Sequence, residues 1–298
     1  MNVRVGVLGA GSIGCLVAAK LVDAGYDVLV HARGEHGATL ALSGLEVSGL
    51  WETKISPDQW TVSLDGAGLH PSLRQSCDLA IITSKSKDTH RLVETATFLT
   101  SGPVLSLQNG LGNLEILKEH VYENAAVGVT TNAVKKIQPG SIEWVGKGSL
   151  FVGGPKGEFF ANVLDCLDAS YSEDVSSILW NKLLLNVAIN PLAAICGVKN
   201  GELRYEPLLS QAESTMLEAA SVARMLGVTI DDDQLLIQNL HSVLESTSEN
   251  ICSMLADVKA GRETEIDMLC GQVVVRGEKL GIPTPLNSML LSQIKSLR

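Results

Sequence analysis

Lys182, Asn186 and Asn190 fall four residues apart in Trp180-Asn181-Lys182-Leu183-Leu184-Leu185-Asn186-Val187-Ala188-Ile189-Asn190-Pro191-Leu192. On a helix they stand one above another on a single face, with leucine, valine, alanine and isoleucine around them. A lysine among apolar neighbours is costly to bury without partners. Burial also lowers its pKa toward the range in which it can hand over a proton near neutral pH. The stripe therefore predicts a reacting site in which Lys182 moves the proton. The alternative is a lysine that snorkels to water above two structural asparagines, and residues elsewhere must decide between the two.

Gly9-Ala10-Gly11-Ser12-Ile13-Gly14 matches G-x-G-x-x-G. The match gains weight from its context, because it follows an apolar strand at the start of the chain and opens an amphipathic helix. Glycines there permit a tight turn and let backbone N–H groups approach a pyrophosphate, with the helix N-terminus adding favourable charge. A site for NAD has an acidic residue at the end of the second strand, on the ribose hydroxyls. Here Val28-Leu29-Val30 runs into His31-Ala32-Arg33. Arg33 suits a 2′-phosphate, which favours NADP, although Glu35 follows closely. Lys85, after Ile81-Ile82-Thr83-Ser84, and Asn109, after Leu105-Ser106-Leu107-Gln108, sit at the carboxyl ends of further strands, where open α/β sheets bind ligands. Asn109 also has an ordinary reading, as the first half of an Asn-Gly turn.

Asn250 and Ser253 are three apart in an expected helix, and Glu265 lies in Thr264-Glu265-Ile266-Asp267. Each has a plain reading, as a helix-surface residue or as an acid in a helix's first turn. Together with Lys182 they supply a cation, amide donors, a hydroxyl and a carboxylate, a set suited to a small carboxylate-bearing substrate beside a nicotinamide.

The elements that must position these groups follow from patterning. Val3–Leu8 is a strand, Ser12–Asp23 a helix ending at Gly25, and Tyr26–Val30, Leu79–Thr83 and Val104–Leu107 are further strands. Such alternation predicts a mostly parallel sheet wound on both faces. Ala126–Thr131, Ser141–Val145 and Ser149–Val152 read as hairpins finishing that sheet, and residues 57–76 as a surface loop or short helix. From about residue 174 strand signals vanish. Helical patterns follow over Ser176–Ala194, Leu208–Leu226, Asp231–Lys259 and Thr264–Leu280, punctuated by Gly227, Gly261 and Gly281. The expected organisation is an α/β domain over residues 1–173 and an all-helical domain over 174–298.

Composition bounds the rest. With 298 residues, 45% hydrophobic and 19% charged, the chain is long and apolar enough for two folded domains. The apolar runs read as too short to span a bilayer, and no targeting segment is evident, so a cytoplasmic location is expected. The six cysteines are dispersed without a Cys-x-x-Cys pair, which suits a reducing compartment and no metal site. A formal net charge of −10 argues against nucleic acid as the main partner.

Gly9–Gly14, Lys85, Gln108-Asn109-Gly110-Leu111-Gly112, Lys182 with Asn186 and Asn190-Pro191-Leu192, Asn200-Gly201-Glu202-Leu203, Asn250–Met254 and Thr264–Asp267 stand in the order of a known family. Over nearly its whole length the chain resembles the ketopantoate reductases (2-dehydropantoate 2-reductases). The resemblance implies a Rossmann-type N-terminal domain, a helical C-terminal domain, and a cleft that holds NADPH and ketopantoate, in a step of pantothenate and coenzyme A biosynthesis. It implies that Lys182 is the catalytic lysine and that Asn186, Asn190, Asn200, Asn250 and Ser253 bind substrate. Glu265 would stand near the reacting carbon and the cofactor. Gly9, Ala10, Gly11, Ser12, Ile13, Gly14, Lys85, Asn109 and Ala133 would contact the cofactor, and Arg33 its 2′-phosphate. Cys252 departs from the pattern, which has a serine there.

The expected activity is therefore NADPH-dependent reduction of ketopantoate, with Lys182 as general acid. Two rivals stay open. One is a reductase of another small 2-keto acid, since about one methylene of pocket shape is worth only ~1–3 kcal/mol. The other is a non-catalytic NADP-binding regulator, which would have no need of Lys182 or Glu265. The oligomeric state is not set by the sequence, and a homodimer remains open.

Overall fold

The computed structural model describes residues 3–66 and 68–297. They form two compact units, one running to Asn109 and resuming over Asn113–Val175, the other comprising Gly110–Gly112 and the chain from Ser176.

In the first unit the chain order is β1 (Arg4–Leu8), α1 (Ser12–Asp23), β2 (Asp27–Ala32), α2 (Gly34–Ser43), β3 (Leu45–Gly49), β4 (Thr53–Ile55), β5 (Thr61–Leu64), β6 (Leu79–Ile82) and α3 (Thr89–Leu99). It continues with β7 (Val104–Ser106), α4 (Asn113–Val121), β8 (Ala125–Thr130), β9 (Ala133–Gln138), β10 (Ser141–Gly146), β11 (Leu150–Gly153), α5 (Gly157–Val163) and β12 (Ala169–Tyr171). An eight-stranded sheet runs β12-β11-β8-β7-β6-β1-β2-β5. It is parallel throughout except where β11 meets β8. β1, β2 and β6 are almost continuous apolar runs because both faces are covered. Val5, Val7, Val28, Val30 and Ile81 pack with α1 and α5. Leu8, Leu29, Ala80 and Ile82 pack with α3 and α4.

Two expectations need correction in this unit. Residues 57–76 are not merely a loop, because Thr61–Leu64 within them is β5, paired with β2 at the edge of the sheet. The β9–β10 hairpin does not finish the main sheet. It joins β3 and β4 in a separate four-stranded sheet, ordered β4-β3-β10-β9. That sheet buries Leu45, Val47, Ile55, Ile142 and Trp144 in the α1 core, and the Lys20 ammonium of α1 sits 3.8 Å from the Trp51 ring centroid.

The second unit is helical; among the described residues no strand lies beyond β12. Its helices are α6 (Val175–Cys196), α7 (Leu208–Met225), α8 (Asp233–Ser246), α9 (Ser253–Lys259), α10 (Cys270–Leu280) and α11 (Pro285–Ser296). α6 has the length and apolar composition of a membrane-crossing helix, contrary to the expectation that no run is long enough. Most of it instead packs inside the unit, through Leu183, Leu184, Val187, Ala188, Leu192 and Ala193. Glu218 of α7 accepts from the Leu286 and Asn287 N–H groups at 2.9 and 2.8 Å and so caps α11. The continuous helix expected over Asp231–Lys259 is broken between α8 and α9, and Asn250 lies in the break.

Candidate active site

The glycine turn joins β1 to α1. Gly9 has φ +110°, and a Cβ there would lie 2.6 Å from the Ser84 nitrogen. At Gly14 a Cβ would meet the Gly9 carbonyl oxygen at 2.0 Å and the Thr83 hydroxyl at 2.5 Å. These two glycines allow the turn and the helix to pack against the end of β6. Gly11 is different, because a Cβ there would meet nothing within 4 Å. Gly11 is also the N-cap of α1 and has no side chain of its own to bond the first-turn N–H groups. Open space beside a helix N-terminus whose cap residue has no side chain is what a pyrophosphate requires, so the residues present fit a dinucleotide.

At the end of β2 the Arg33 guanidinium is largely exposed and reaches Asp88 at 3.4 Å. Arg91 shares Asp88 at 3.7 Å and pairs with Asp65 at 2.9 Å. His31 faces Asp65 at 3.9 Å, yet burial lowers its pKa, with Asp65 opposing, so the ring is neutral near pH 7. Asp65 and Asp88 carried no signal in the sequence because they sit in turns, and Arg91 carried none because it lies on the exposed face of α3, where a charge is ordinary. Lys85 is half-buried before a short turn, Ser86–Asp88. Asn109 is also half-buried, and its carbonyl accepts from the Ser86 hydroxyl at 2.6 Å and from Asn113 Nδ2 at 3.2 Å. The hydroxyl of Thr89, fully buried, lies 2.6 Å from the Ser86 carbonyl and 3.2 Å from Gln108 Oε1. This buried polar group fixes the ends of β6 and β7 from below. Ala133, the remaining residue expected at the cofactor, is exposed at the start of β9.

In the helical unit, Lys182, Asn186 and Asn190 lie on α6 at the expected spacing; Lys182 and Asn186 are half-buried and Asn190 is buried. Burial brings the Lys182 pKa down to about 8, while the Glu265 carboxylate pulls it up. The lysine is thus poised to exchange a proton near neutrality. Glu265 stands just ahead of a short turn, Ile266–Met268, rather than in the first turn of a long helix. Gly110, at φ +83°, packs against Met268 of that turn, and the Leu111 N–H donates to the Met268 carbonyl at 3.3 Å.

Asn200 and Asn250 are brought together, the Asn200 N–H donating to the Asn250 carbonyl at 3.0 Å. Asn200 Nδ2 donates to the Thr247 hydroxyl at 3.1 Å. The expectation that Asn250 and Ser253 share a helix face is corrected: Asn250 lies in the loop, and Ser253 is the exposed first residue of α9. Cys252 takes the N-cap position. Its Sγ accepts from the Leu255 N–H at 3.4 Å and lies 3.6 Å from the Asn190 carbonyl, which its thiol can reach as donor. The thiol at the departing position thus does a serine's capping work and ties the 250–253 loop to α6. Among the described residues no cluster of His, Cys, Asp and Glu is placed to hold a metal ion.

Comparison with known proteins decides the family. The family model described as ketopantoate reductase PanE/ApbA matches residues 5–157, and its C-terminal counterpart matches residues 174–298. The chain belongs to the ketopantoate reductase family. It is thereby one of a family of pyridine-nucleotide-dependent oxidoreductases. It is 35% identical to a 2-dehydropantoate 2-reductase of Pyrococcus horikoshii, over 98% of this chain and 97% of that one. A crystal structure of a PanE/ApbA family ketopantoate reductase from Ralstonia eutropha JMP134 superposes with a TM-score of 0.88 at 30% identity, covering 99% of this chain and 98% of the other. D-mandelate dehydrogenase, solved with NADH and anilino(oxo)acetate, shares the fold, with a TM-score of 0.89 at 23% identity over 99% of this chain and 98% of that one.

Proposed function

We propose that the chain reduces ketopantoate to pantoate with NADPH as hydride donor. The observation that carries this reading is the half-buried Lys182, brought to a pKa of about 8 by burial against the pull of Glu265, on the helix face that also bears Asn186 and Asn190. A bound nicotinamide supplies the hydride to the ketone carbon. As charge builds on the carbonyl oxygen, the Lys182 ammonium stabilises it and gives up a proton to it, and the neutral amine left behind is reprotonated from solvent. Glu265 holds the lysine in its cationic form and orients it. Asn186, Asn190, Asn200, Asn250 and Ser253 bind the carboxylate and hydroxyl of the substrate, and correct placement of these groups carries much of the rate.

On the first unit, Gly9–Gly14 receive the pyrophosphate and Arg33 the 2′-phosphate, with Lys85, Asn109 and Ala133 as further cofactor contacts. Arg33 supports NADPH over NADH: it is cationic, exposed and held at the end of β2 by Asp88, where an NAD site would carry an acid. The same reading places the reaction in the cytoplasm and in pantothenate biosynthesis, with residues 1–173 serving the cofactor and 174–298 the substrate. Growth of a ketopantoate-reductase-deficient, pantothenate-requiring bacterium tests this. The intact gene should restore growth without pantothenate and the Lys182→Ala variant should not. No rescue by well-expressed, folded protein would contradict ketopantoate as the substrate.

A further inference from the structure

A buried chain of hydrogen bonds runs into the glycine turn from the far side of α1. It begins at Gly140, the turn residue of the β9–β10 hairpin, whose N–H donates to His36 Nδ1 at 3.0 Å. A ring nitrogen that accepts cannot carry the proton, so the neutral imidazole of His36 is protonated at Nε2. Nε2 lies 3.3 Å from Cys15 Sγ, and the thiol lies 3.6 Å from the carbonyl oxygen of Ala10. The proton runs one way: Gly140 N–H to His36 Nδ1, His36 Nε2–H toward both the Cys15 sulfur and the Ala10 carbonyl, and Cys15 S–H to Ala10.

Both side chains are buried, His36 at 7% and Cys15 at 1% exposure. Burial, then the charge of Lys136, bring the His36 pKa down to about 4, with the Ala10 carbonyl opposing. Burial pushes the Cys15 thiol up to about 12. Near pH 7 both groups are neutral and the direction is fixed. The end of the chain matters because a peptide unit is planar, with its C=O and N–H pointing opposite ways. Anchoring the Ala10 carbonyl therefore aims the Gly11 N–H, the donor bordered by open space where a Gly11 Cβ would meet nothing within 4 Å.

We propose that His36 and Cys15 are positioning residues for dinucleotide binding: the one-way relay from Gly140 holds the Ala10–Gly11 peptide plane so that the Gly11 N–H faces the pyrophosphate. This rests on the reading that the glycine turn holds a nicotinamide dinucleotide. The pyrophosphate is common to NADPH and NADH, so the relay serves both equally, unlike Arg33.

The test joins ring ¹⁵N NMR on the full-length protein with titration of NADPH and NADH into the wild type and the Cys15→Ala, Cys15→Ser and His36→Asn variants. His36→Asn retains an acceptor for Gly140 and severs the links to Cys15 and to the Ala10 carbonyl. At pH 7 the His36 ring, identified by its loss in His36→Asn, should show a bare Nδ1 and a protonated Nε2. Cys15→Ala and His36→Asn should each weaken both dinucleotides by the same factor, about two- to tenfold, the value of one hydrogen bond. Cys15→Ser keeps donor and acceptor and should bind within about twofold of wild type. A proton on Nδ1, unchanged affinity in Cys15→Ala, or a Cys15→Ser variant as weak as Cys15→Ala would overturn the proposal. Wild-type protein that binds neither dinucleotide would overturn the functional reading, and the positioning role with it, while leaving the Nε2–H tautomer in the spectrum. The two failures are therefore distinguishable.

Discussion

Glu265 opposes burial at Lys182: desolvation lowers the ammonium's pKa, the carboxylate raises it, and the balance stands at about 8. A general acid must be protonated to act, so kcat/KM for reduction should fall as pH rises through about 8. Replacing Glu265 by Gln removes the opposing charge, and the fall should then begin at lower pH. Stability runs the other way. Between about 8 and the ordinary lysine value of 10.5 the folded protein binds fewer protons than the unfolded chain, so this group makes stability rise with pH across that window. A pH–rate profile that does not move in Glu265→Gln would separate the carboxylate from the lysine.

Lys182→Ala should lower turnover by about 10²–10⁴-fold, the range for a lost general acid, with dinucleotide affinity little changed. Combined with Glu265→Ala, the loss should be far smaller than the product of the single losses, because groups that act as a unit are non-additive. Steady-state kinetics of the three variants decide it, and fully multiplicative losses would mean that Glu265 acts independently.

Arg33→Ala should weaken NADPH by about ten- to a hundredfold, corresponding to the ~1.5–3 kcal/mol of a charge-assisted hydrogen bond, and leave NADH almost unaffected. Fluorescence titration of both cofactors measures the split. Equal weakening of the two would move the 2′-phosphate to another cation, with Lys85 next in line.

Gly11 and Gly14 should part company when replaced by alanine. At Gly14 the new Cβ would lie 2.0 Å from the Gly9 carbonyl, so the variant should lose stability and Tm should drop. At Gly11, with φ −76° and open space, the fold accepts the methyl, at a capping cost below about 1 kcal/mol. If the turn holds the pyrophosphate as proposed, the methyl would occupy its place, and a clash of ~1–3 kcal/mol corresponds to roughly tenfold or greater loss of dinucleotide affinity at near-normal Tm. Thermal melts beside cofactor titrations show both effects.

How far the sequence could be read depended on whether the signal was local. The Lys182-Asn186-Asn190 stripe and the G-x-G-x-x-G turn are short-range patterns, and the structure sets them on α6 and at the β1–α1 junction as their spacing requires. β5 was not legible, because Thr61–Leu64 is a four-residue edge strand with only Ser63 buried. Ser141–Gly146 alternates clearly enough to be a strand, with Ile142 and Trp144 buried. Alternation says that one face is covered but does not say by which sheet. The break between α8 and α9 contains neither glycine nor proline. It is held from outside, by the Gly201 N–H on the Ser248 carbonyl and the Asn200 N–H on the Asn250 carbonyl, contacts that no local pattern encodes.

The capping role of Cys252 was hidden for the same reason, and it makes a prediction. Cys252→Ala should cost about 1 kcal/mol, the usual value of a helix cap, and should loosen the loop bearing Asn250 and Ser253. Substrate KM should rise more than kcat falls. Cys252→Ser should restore both stability and KM, and denaturant unfolding with steady-state kinetics would reveal a failure of that rescue.

The central claim is most directly tested by following NADPH oxidation at 340 nm with purified protein and a panel of 2-keto acids: ketopantoate, pyruvate, 2-oxoisovalerate and benzoylformate. Ketopantoate should give the highest kcat/KM, NADPH should outperform NADH, and Lys182→Ala should abolish nearly all of the rate. Equal or faster turnover of benzoylformate, or no oxidation with any of the four, would contradict the account.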